Sequence, residues 1–336
     1  MAVSVKDVAA HAGLSVGTVS NVLNRPEKVA TATRERVLAS IQQLGFVRNE
    51  AARQLRAGLS RTVGLIVLDA SNPFFHDVAA GAEHWGARHG ISILMGNSAQ
   101  VPAREDHYLE LFEQQRVRGV LISPVGDITP RLQRMRQLGI AGVVVDRVST
   151  HAAVSSVSVD DQAGGRMAVR HLAELGHTRI SYVGGPPSLT QVTDRLAGAR
   201  QVASTQNVTI DPVFAQGLGI QQGAEVGHRL LALPPTERPT AIFAANDLLA
   251  LGILQAITSQ GIRVPHDLAL VGYDDITFAA GAAVPLTSVR QPRAEMGARA
   301  MELLLVEAET QEPAGEHIVL QPSLVVRHST DPATSR

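Results

Sequence analysis

The first 45 residues repeat an apolar spacing of three to four residues three times over. Val5, Val8, Ala9 and Ala12 share one helical face, and Gly13 ends that run. Ser15 is a good N-cap for a second run, whose stripe is Val16, Val19, Val22 and Leu23. A third run starts at Thr31 or Thr33 and continues to Leu44; its apolar face is Val37, Leu38, Ile41 and Leu44, and Gly45 closes it. The link Ala12-Gly13-Leu14-Ser15 is short and contains glycine, the sequence form of a helix-turn-helix. The second helix presents a small polar outer face, Gly17, Thr18, Ser20 and Asn21. Such a helix fits a DNA major groove about 12 Å wide, and neighbouring hydroxyls can bond phosphates to fix its register. The same pattern also suits a plain three-helix bundle in which Ser and Thr only cap helices.

From Thr62 the pattern changes. Short apolar runs at 62–68, 91–97, 119–124, 142–146, 179–185, 240–246 and 268–274 alternate with helical stretches. Near-continuous Val, Ile and Leu strands separated by helices predict parallel sheets covered on both faces. Ligands of such sheets bind beyond the carboxyl ends of the strands. That rule singles out Asp69, Ser71 and Asn72, then Asn97, Asp146, Arg147, Asn246, Asp247, Asp274 and Asp275. Carboxylates accept from hydroxyls, amides do both, and arginine donates, so this set suits a hydroxyl-rich ligand. Phe74 and Phe75 offer rings to the apolar face of a sugar. Each Asx residue taken singly also suits a cap of the following helix.

Composition narrows the class. With 336 residues, 45% hydrophobic and 18% charged, the chain has room for a large folded body plus a small domain. Aromatics make up only 3%, so the core is built from Ala, Val, Leu and Ile. The absence of cysteine excludes disulfides, thiolate nucleophiles and Cys-based zinc sites. The start, MAVSVKDVAA, lacks the basic segment and apolar run of a signal peptide, and no uncharged apolar stretch is long enough to span a bilayer. The expectation is a cytoplasmic protein, nucleoid-associated when bound to DNA. Residues 1–60 carry eight cations against four anions, a charge of +4, while the remainder carries −5 within a total of −1. A basic head on a slightly acidic body fits a nucleic-acid partner for the head alone.

An enzyme is not expected. Asp274-Asp275 and Asp160-Asp161 are paired carboxylates, but no G-x-S-x-G, H-E-x-x-H or phosphate-loop motif is present. Asp161 reads as the cap of the helix that follows it. No catalytic residues, metal ligands or cofactors are expected.

The head resembles the DNA-binding region of the LacI/GalR family of bacterial transcriptional regulators. The shared elements are Lys6-Asp7-Val8-Ala9, Ala12-Gly13-Leu14-Ser15, Thr18-Val19-Ser20, Val22-Leu23-Asn24, Thr33-Arg34 and the segment Arg48-Asn49-Glu50-Ala51-Ala52-Arg53-Gln54-Leu55. The resemblance places Val16, Gly17 and Asn21 where the family reads bases, and Ser15, Thr18, Ser20, Asn24 and Thr33 where it contacts phosphates. Gly17 is a departure, since it has no side chain to read with; readout then rests mainly on Asn21, whose amide suits adenine N6 and N7. Asn49, Ala52, Arg53 and Leu55 fall in the family's hinge. An isolated helix of that length is unstable in water. The resemblance implies that it folds on DNA beside a second copy, with Leu55 wedged into the minor groove.

The resemblance continues through the body, which looks like a periplasmic sugar-binding protein of two lobes and three crossovers. Its matches include Ser71-Asn72-Pro73-Phe74-Phe75, Val145-Asp146-Arg147, Arg195-Leu196-Ala197-Gly198, Ala245-Asn246-Asp247 and Val271-Gly272-Tyr273-Asp274-Asp275. The resemblance carries over Phe75, Asp146, Arg147, Asn246 and Asp274 as effector contacts; Asp69 and Asn72, from the strand-end rule, and Thr193 complete the expected effector-binding set. Thr193 stands where many members place an effector-binding arginine, and no aromatic occurs between Phe214 and Phe243, where many stack a ring on the ligand. Both departures alter the pocket and leave two expectations: a ligand other than a common hexose, or a weak response to any small molecule.

The expected fold is therefore α/β: an N-terminal all-α helix-turn-helix head (1–48), a hinge and linker (49–60), and a two-lobed body with parallel sheets (61–330). Lobe 1 is expected at about 61–158 and 290–317, lobe 2 at about 159–289 and 318–330. The expected protein is a homodimeric repressor of a carbohydrate-utilisation operon. It binds a palindromic double-stranded operator and is released by a sugar or related metabolite. A transport-associated binding protein would share the body but not the head, and an activator would differ only in operator position.

Overall fold

A computed structural model describes residues 3–46 and 60–331. The chain divides into two compact units, Met1–Leu59 and Ser60–Arg336.

In the first unit, α1 (Val5–Ala12) opens on a capping box, in which the Ser4 hydroxyl receives the Asp7 amide and the Asp7 carboxylate receives the Ser4 amide. Gly13 ends it in the left-handed region at φ 62°. Ser15 caps α2 (Val16–Asn24) through the Thr18 amide at 3.0 Å. A 3-10 turn, Pro26–Lys28, leads to α3 (Thr31–Leu44), which stops at Gly45. Val8, Ala9, Ala12, Val19, Val22 and Val37 form a small core. The expected face of α3 is corrected at one position. Leu38 is 50% exposed, and Ser40 is buried instead, its hydroxyl folded back on the Arg36 carbonyl. Ser40 shares the side of Val37 and Leu44 at three- and four-residue spacing, whereas Leu38 is turned about 100° from Val37.

The second unit contains two six-stranded sheets. The first has the order β11-β5-β4-β3-β1-β2, from β1 (Thr62–Val67), β2 (Ser92–Asn97), β3 (Gly119–Ile122), β4 (Ala141–Val145), β5 (Ser156–Val159) and β11 (His317–Leu320), all parallel. The second has the order β12-β10-β9-β8-β6-β7. Its strands are β6 (Arg179–Gly184), β7 (Thr209–Phe214), β8 (Ala241–Ala244), β9 (Ala269–Asp274), β10 (Thr287–Arg290) and β12 (Ser323–Val325), with only β12 antiparallel. The seven apolar runs of the sequence are all strands. Five others were not anticipated. β5 is Ser-Val-Ser-Val, buried along its whole length, and β7 carries Pro212, which an edge strand tolerates.

The lobes exchange chain three times. β5 leads into α7 (Asp161–Glu174) of lobe 2, β10 leads into α12 (Arg293–Thr310), which packs on lobe 1, and β11 leads into β12. The returning piece of lobe 1 thus runs to Leu320 rather than 317, because β11 pairs with β5 over its full length.

Three helix pairs meet at backbone distance. They are α4 (Pro73–Ala87) with α12, α7 with α8 (Thr190–Ala203), and α9 (Ile220–Leu231) with α10 (Asp247–Ser259). Each pair is closed by two glycines facing reciprocally. A Cβ on Gly81 would lie 2.0 Å from the Ala294 oxygen, and one on Gly297 would lie 1.9 Å from the Val78 oxygen. Gly165 and Gly198 oppose Arg195 and Gln162 in the same way, and Gly223 and Gly252 oppose Leu249 and Ile220. In every case the oxygen belongs to the residue three positions before the opposite glycine.

Candidate functional site

On the head, α2 turns Val16, Gly17 and Asn21 outward, with Ser15 and Asn24 also exposed and Thr18, Ser20 and Thr33 half-buried. Nothing in the packing asks for glycine at 17: a Cβ there would meet only the Ser15 hydroxyl, at 3.7 Å. Asn24 is partly committed within the head, donating to the Ser20 carbonyl at 2.8 Å and to its hydroxyl at 3.1 Å. The hinge residues Asn49, Ala52, Arg53 and Leu55 lie outside the described residues.

In the body, a cleft of about 510 Å³, part of it open to solvent, lies between the lobes. Asp69, Asn72, Phe75, Asp146, Asn246 and Asp274 line it, all at or just after the carboxyl ends of strands or at the helix starts that follow. Capping and cleft-facing turn out to be compatible roles. The Asn72 carbonyl caps α4 through the Phe74 amide at 3.0 Å, while its NH2 donates across the cleft to Asp274 at 3.1 Å. The Asn246 carbonyl caps α10, and its NH2 donates to the Leu218 carbonyl at 3.0 Å. Phe74 and Phe75 meet edge to face at 4.9 Å, both nearly fully buried. Asp146 and Asp274 adopt positive φ, 71° and 101°, which bends the chain sharply where each strand reaches the cleft.

Two members of the expected set are directed elsewhere. Arg147 donates to the Gly126 carbonyl, away from the cleft lining. Thr193 is exposed, and its hydroxyl returns to the Thr190 carbonyl. Arg195, half a helical turn later, lies in the cleft wall and supplies the guanidinium whose absence Thr193 suggested. It pairs with Asp161 at 2.7 Å, donates to the Ala245 carbonyl at 2.6 Å and stacks 3.7 Å from the centre of the Tyr273 ring. Burial, the largest single influence, would lower the Arg195 pKa, but Asp161, Tyr273, Asp274 and Asp146 together outweigh it and raise it. Asp161 is therefore an ion-pair partner rather than a cap; Asp160 caps α7 through the Ala163 amide at 2.7 Å. Leu218 stands on the cleft wall where the sequence lacks an aromatic.

Gln191 and Gln291 were also missed. Gln191 donates to Asp146 at 2.7 Å, a second bridge between the lobes, and Gln291 donates to Asp274 at 2.7 Å. A signal for the first existed: Gln191 and Arg195 are spaced i, i+4 on the same side of α8 as Val192, Leu196 and Ala199. Polar residues on an apolar stripe have to be buried with partners.

Burial, with the nearby charges of Asp161 and Asp274, pushes the Asp146 carboxyl up to about 8, against the opposing influence of Arg195 and the Gln191 bond. The folded state then holds a proton that the unfolded chain releases near pH 4. Stability is expected to fall as pH rises from about 4 to about 8 and to level off above that, because the unfolded state binds fewer protons in this window. Urea midpoints between pH 5 and 9 test this. Asp146→Asn should reduce the slope without abolishing it, because burial also raises the Asp161, Asp247 and Asp274 carboxyls; an unchanged slope would remove Asp146 as a contributor.

Among the described residues, no cluster of three or more His, Cys, Asp or Glu side chains could hold a metal, and no helix is long and apolar enough to cross a membrane.

Residues 4–49 match the family model for bacterial regulatory proteins of the lacI family, and residues 169–330 match that of a periplasmic binding protein-like domain. The HTH-type transcriptional repressor PurR of Aliivibrio fischeri (strain ATCC 700601 / ES114) is 30% identical, over 97% of this chain and 98% of its own. PurR of Vibrio parahaemolyticus serotype O3:K6 (strain RIMD 2210633) is 31% identical over the same shares. Among solved structures, the transcriptional regulator CelR in complex with cellobiose is 31% identical, with TM-score 0.72 over 97% of this chain and 99% of that one. The lac repressor dimer bound to operator and the anti-inducer ONPF is 27% identical, with TM-score 0.83 over 98% and 99%.

Proposed function

The chain belongs to the lacI family of bacterial regulatory proteins, DNA-binding transcriptional repressors, and we propose that it represses a carbohydrate-utilisation operon until a small sugar or related metabolite enters the cleft. The observation that carries this reading is the pairing of an outward-facing recognition helix with a carboxylate- and amide-lined cleft between two lobes. The acting form is a homodimer on a palindromic operator, each head taking one half-site. Ligand in the cleft changes the lobe angle and so biases a two-state equilibrium at the hinge. The cellobiose complex of one similar regulator supports a sugar. A purine is the second reading, favoured by the relatives named PurR.

Selection of binding sites from a random DNA pool by the full-length protein tests the first half of the proposal. A two-fold symmetric site is expected; enrichment of an asymmetric site, or of none, would defeat it. On the selected operator, Asn21→Ala is expected to cost about 1–3 kcal/mol of discrimination at one base pair per half-site. An unaltered base preference would take Asn21 out of the readout. Leu55→Ala is expected to weaken operator binding more than binding to random DNA; equal losses would rule out a specificity wedge.

A further inference from the structure

The polar wall of the cleft is rich in acceptors and short of free donors. Asp69, Asp146 and Asp274 all line it. Four of the five amide side chains in the lining are already engaged, Asn72 and Gln291 on Asp274, Gln191 on Asp146, and Asn246 on the Leu218 carbonyl, which leaves Gln100. Among the described residues, Arg195 is the one guanidinium in the lining, and its charge is matched by Asp161. Arg293 contacts the Asp274 and Asp275 carbonyls but forms its ion pair with Asp77, on α4. Against this, the Oε1 atom of Gln291 is buried without a hydrogen-bond partner among the described residues, on a side chain only 2% exposed.

We propose that the cleft selects a ligand that donates hydrogen bonds and carries no negative charge, and that Gln291 is a specificity-determining residue whose Oε1 receives one of those donors. The inference rests on the effector reading above and adds the ligand's charge and a residue absent from the expected set. A free sugar or polyol brings hydroxyls that can take over the acceptor sites on Asp146 and Asp274 now filled by Gln191 and Asn72. An amine or an amino-substituted base brings N–H groups to the same atoms. A phosphate ester or a carboxylate of the same skeleton brings a negative charge for which the wall has no free cation, since the Arg195 guanidinium is already paired with Asp161, and it meets the Asp69 and Asp274 carboxyls. Gln291 also lies on the crossover between β10 and α12, so a donor engaging its Oε1 acts directly on a strand that joins the lobes.

Thermal unfolding of the full-length chain with matched probes tests this: glucose, cellobiose, glucosamine, glucose 6-phosphate and glucuronate in one set, and adenine, adenosine and adenosine monophosphate in the other. The expected result is stabilisation by a neutral or amine-bearing member, with its phosphate or carboxylate counterpart at least tenfold weaker. Gln291→Leu should weaken the best probe by tenfold or more. Asp161→Asn, which frees the Arg195 charge, should narrow the gap between neutral and anionic partners. An anionic probe binding the unmodified protein as tightly as its neutral parent overturns the inference, whether or not the variants fold. So does a folded Gln291→Leu protein with unchanged affinity. A flat response of the unmodified protein to every probe overturns the effector reading itself, and this inference with it.

Discussion

Replacing Arg195 by Ala is expected to cost about 3–5 kcal/mol of folding stability. Arg195 is 5% exposed, and its partner Asp161 is 8% exposed. Removing the cation leaves Asp161 buried and uncompensated, frees the Ala245 carbonyl and takes a stacking partner from Tyr273. Asp161→Ala should cost a similar amount for the mirror-image reason. Changing both residues to leucine should cost much less than the two single losses combined, because no lone charge then remains in the core. Urea denaturation of the four proteins at one pH measures these values. Near-additive losses would mean that Arg195 acts through packing and not through its charge.

The second large effect is expected at a position with no side chain. Gly252→Ala places a methyl group 1.9 Å from the Ile220 oxygen, and a backbone atom cannot rotate aside. Either α9 and α10 separate or their strands shift, at a cost of about 3 kcal/mol. Gly126 provides the control. It has open space around the position of its missing Cβ, and Gly126→Ala should stay within about 0.5 kcal/mol. Equal melting temperatures for the two variants would show that the helices are not held at backbone contact.

The features legible in the sequence are those written in periodicity. The head could be read from apolar spacing and caps because Ser4, Ser15, Gly13 and Gly45 are local signals, each acting within a few residues. Leu38 misled because a bundle this small buries only part of each apolar stripe. In the body, strands with continuous Val and Ile announced themselves, whereas β5 alternates Ser with Val, β10 is mostly Thr, Ser and Arg, and β12 is only three residues long, so all three depend on neighbours far along the chain. The cleft was half legible for a related reason. Asp69, Asn72, Asp146, Asn246 and Asp274 follow strands, and strand ends can be located from sequence. Arg195 and Gln191 sit on a helix, and only the packing of α8 against the second sheet brings them to the same place. Arg147 follows a strand as the rule requires, but its long side chain turns back to the Gly126 carbonyl.

The reciprocal glycines also decide how this body can move. Helices separated by side chains can slide past one another as those side chains change rotamer. Helices whose Cα atoms rest on a neighbour's carbonyl oxygens have no such freedom, because sliding would drive one backbone into the next. With α4 locked to α12 in one lobe, and α7 to α8 and α9 to α10 in the other, shear within a lobe is suppressed. Any ligand-driven change is left to hinge rotation, concentrated in the three short crossovers near residues 160, 291 and 321.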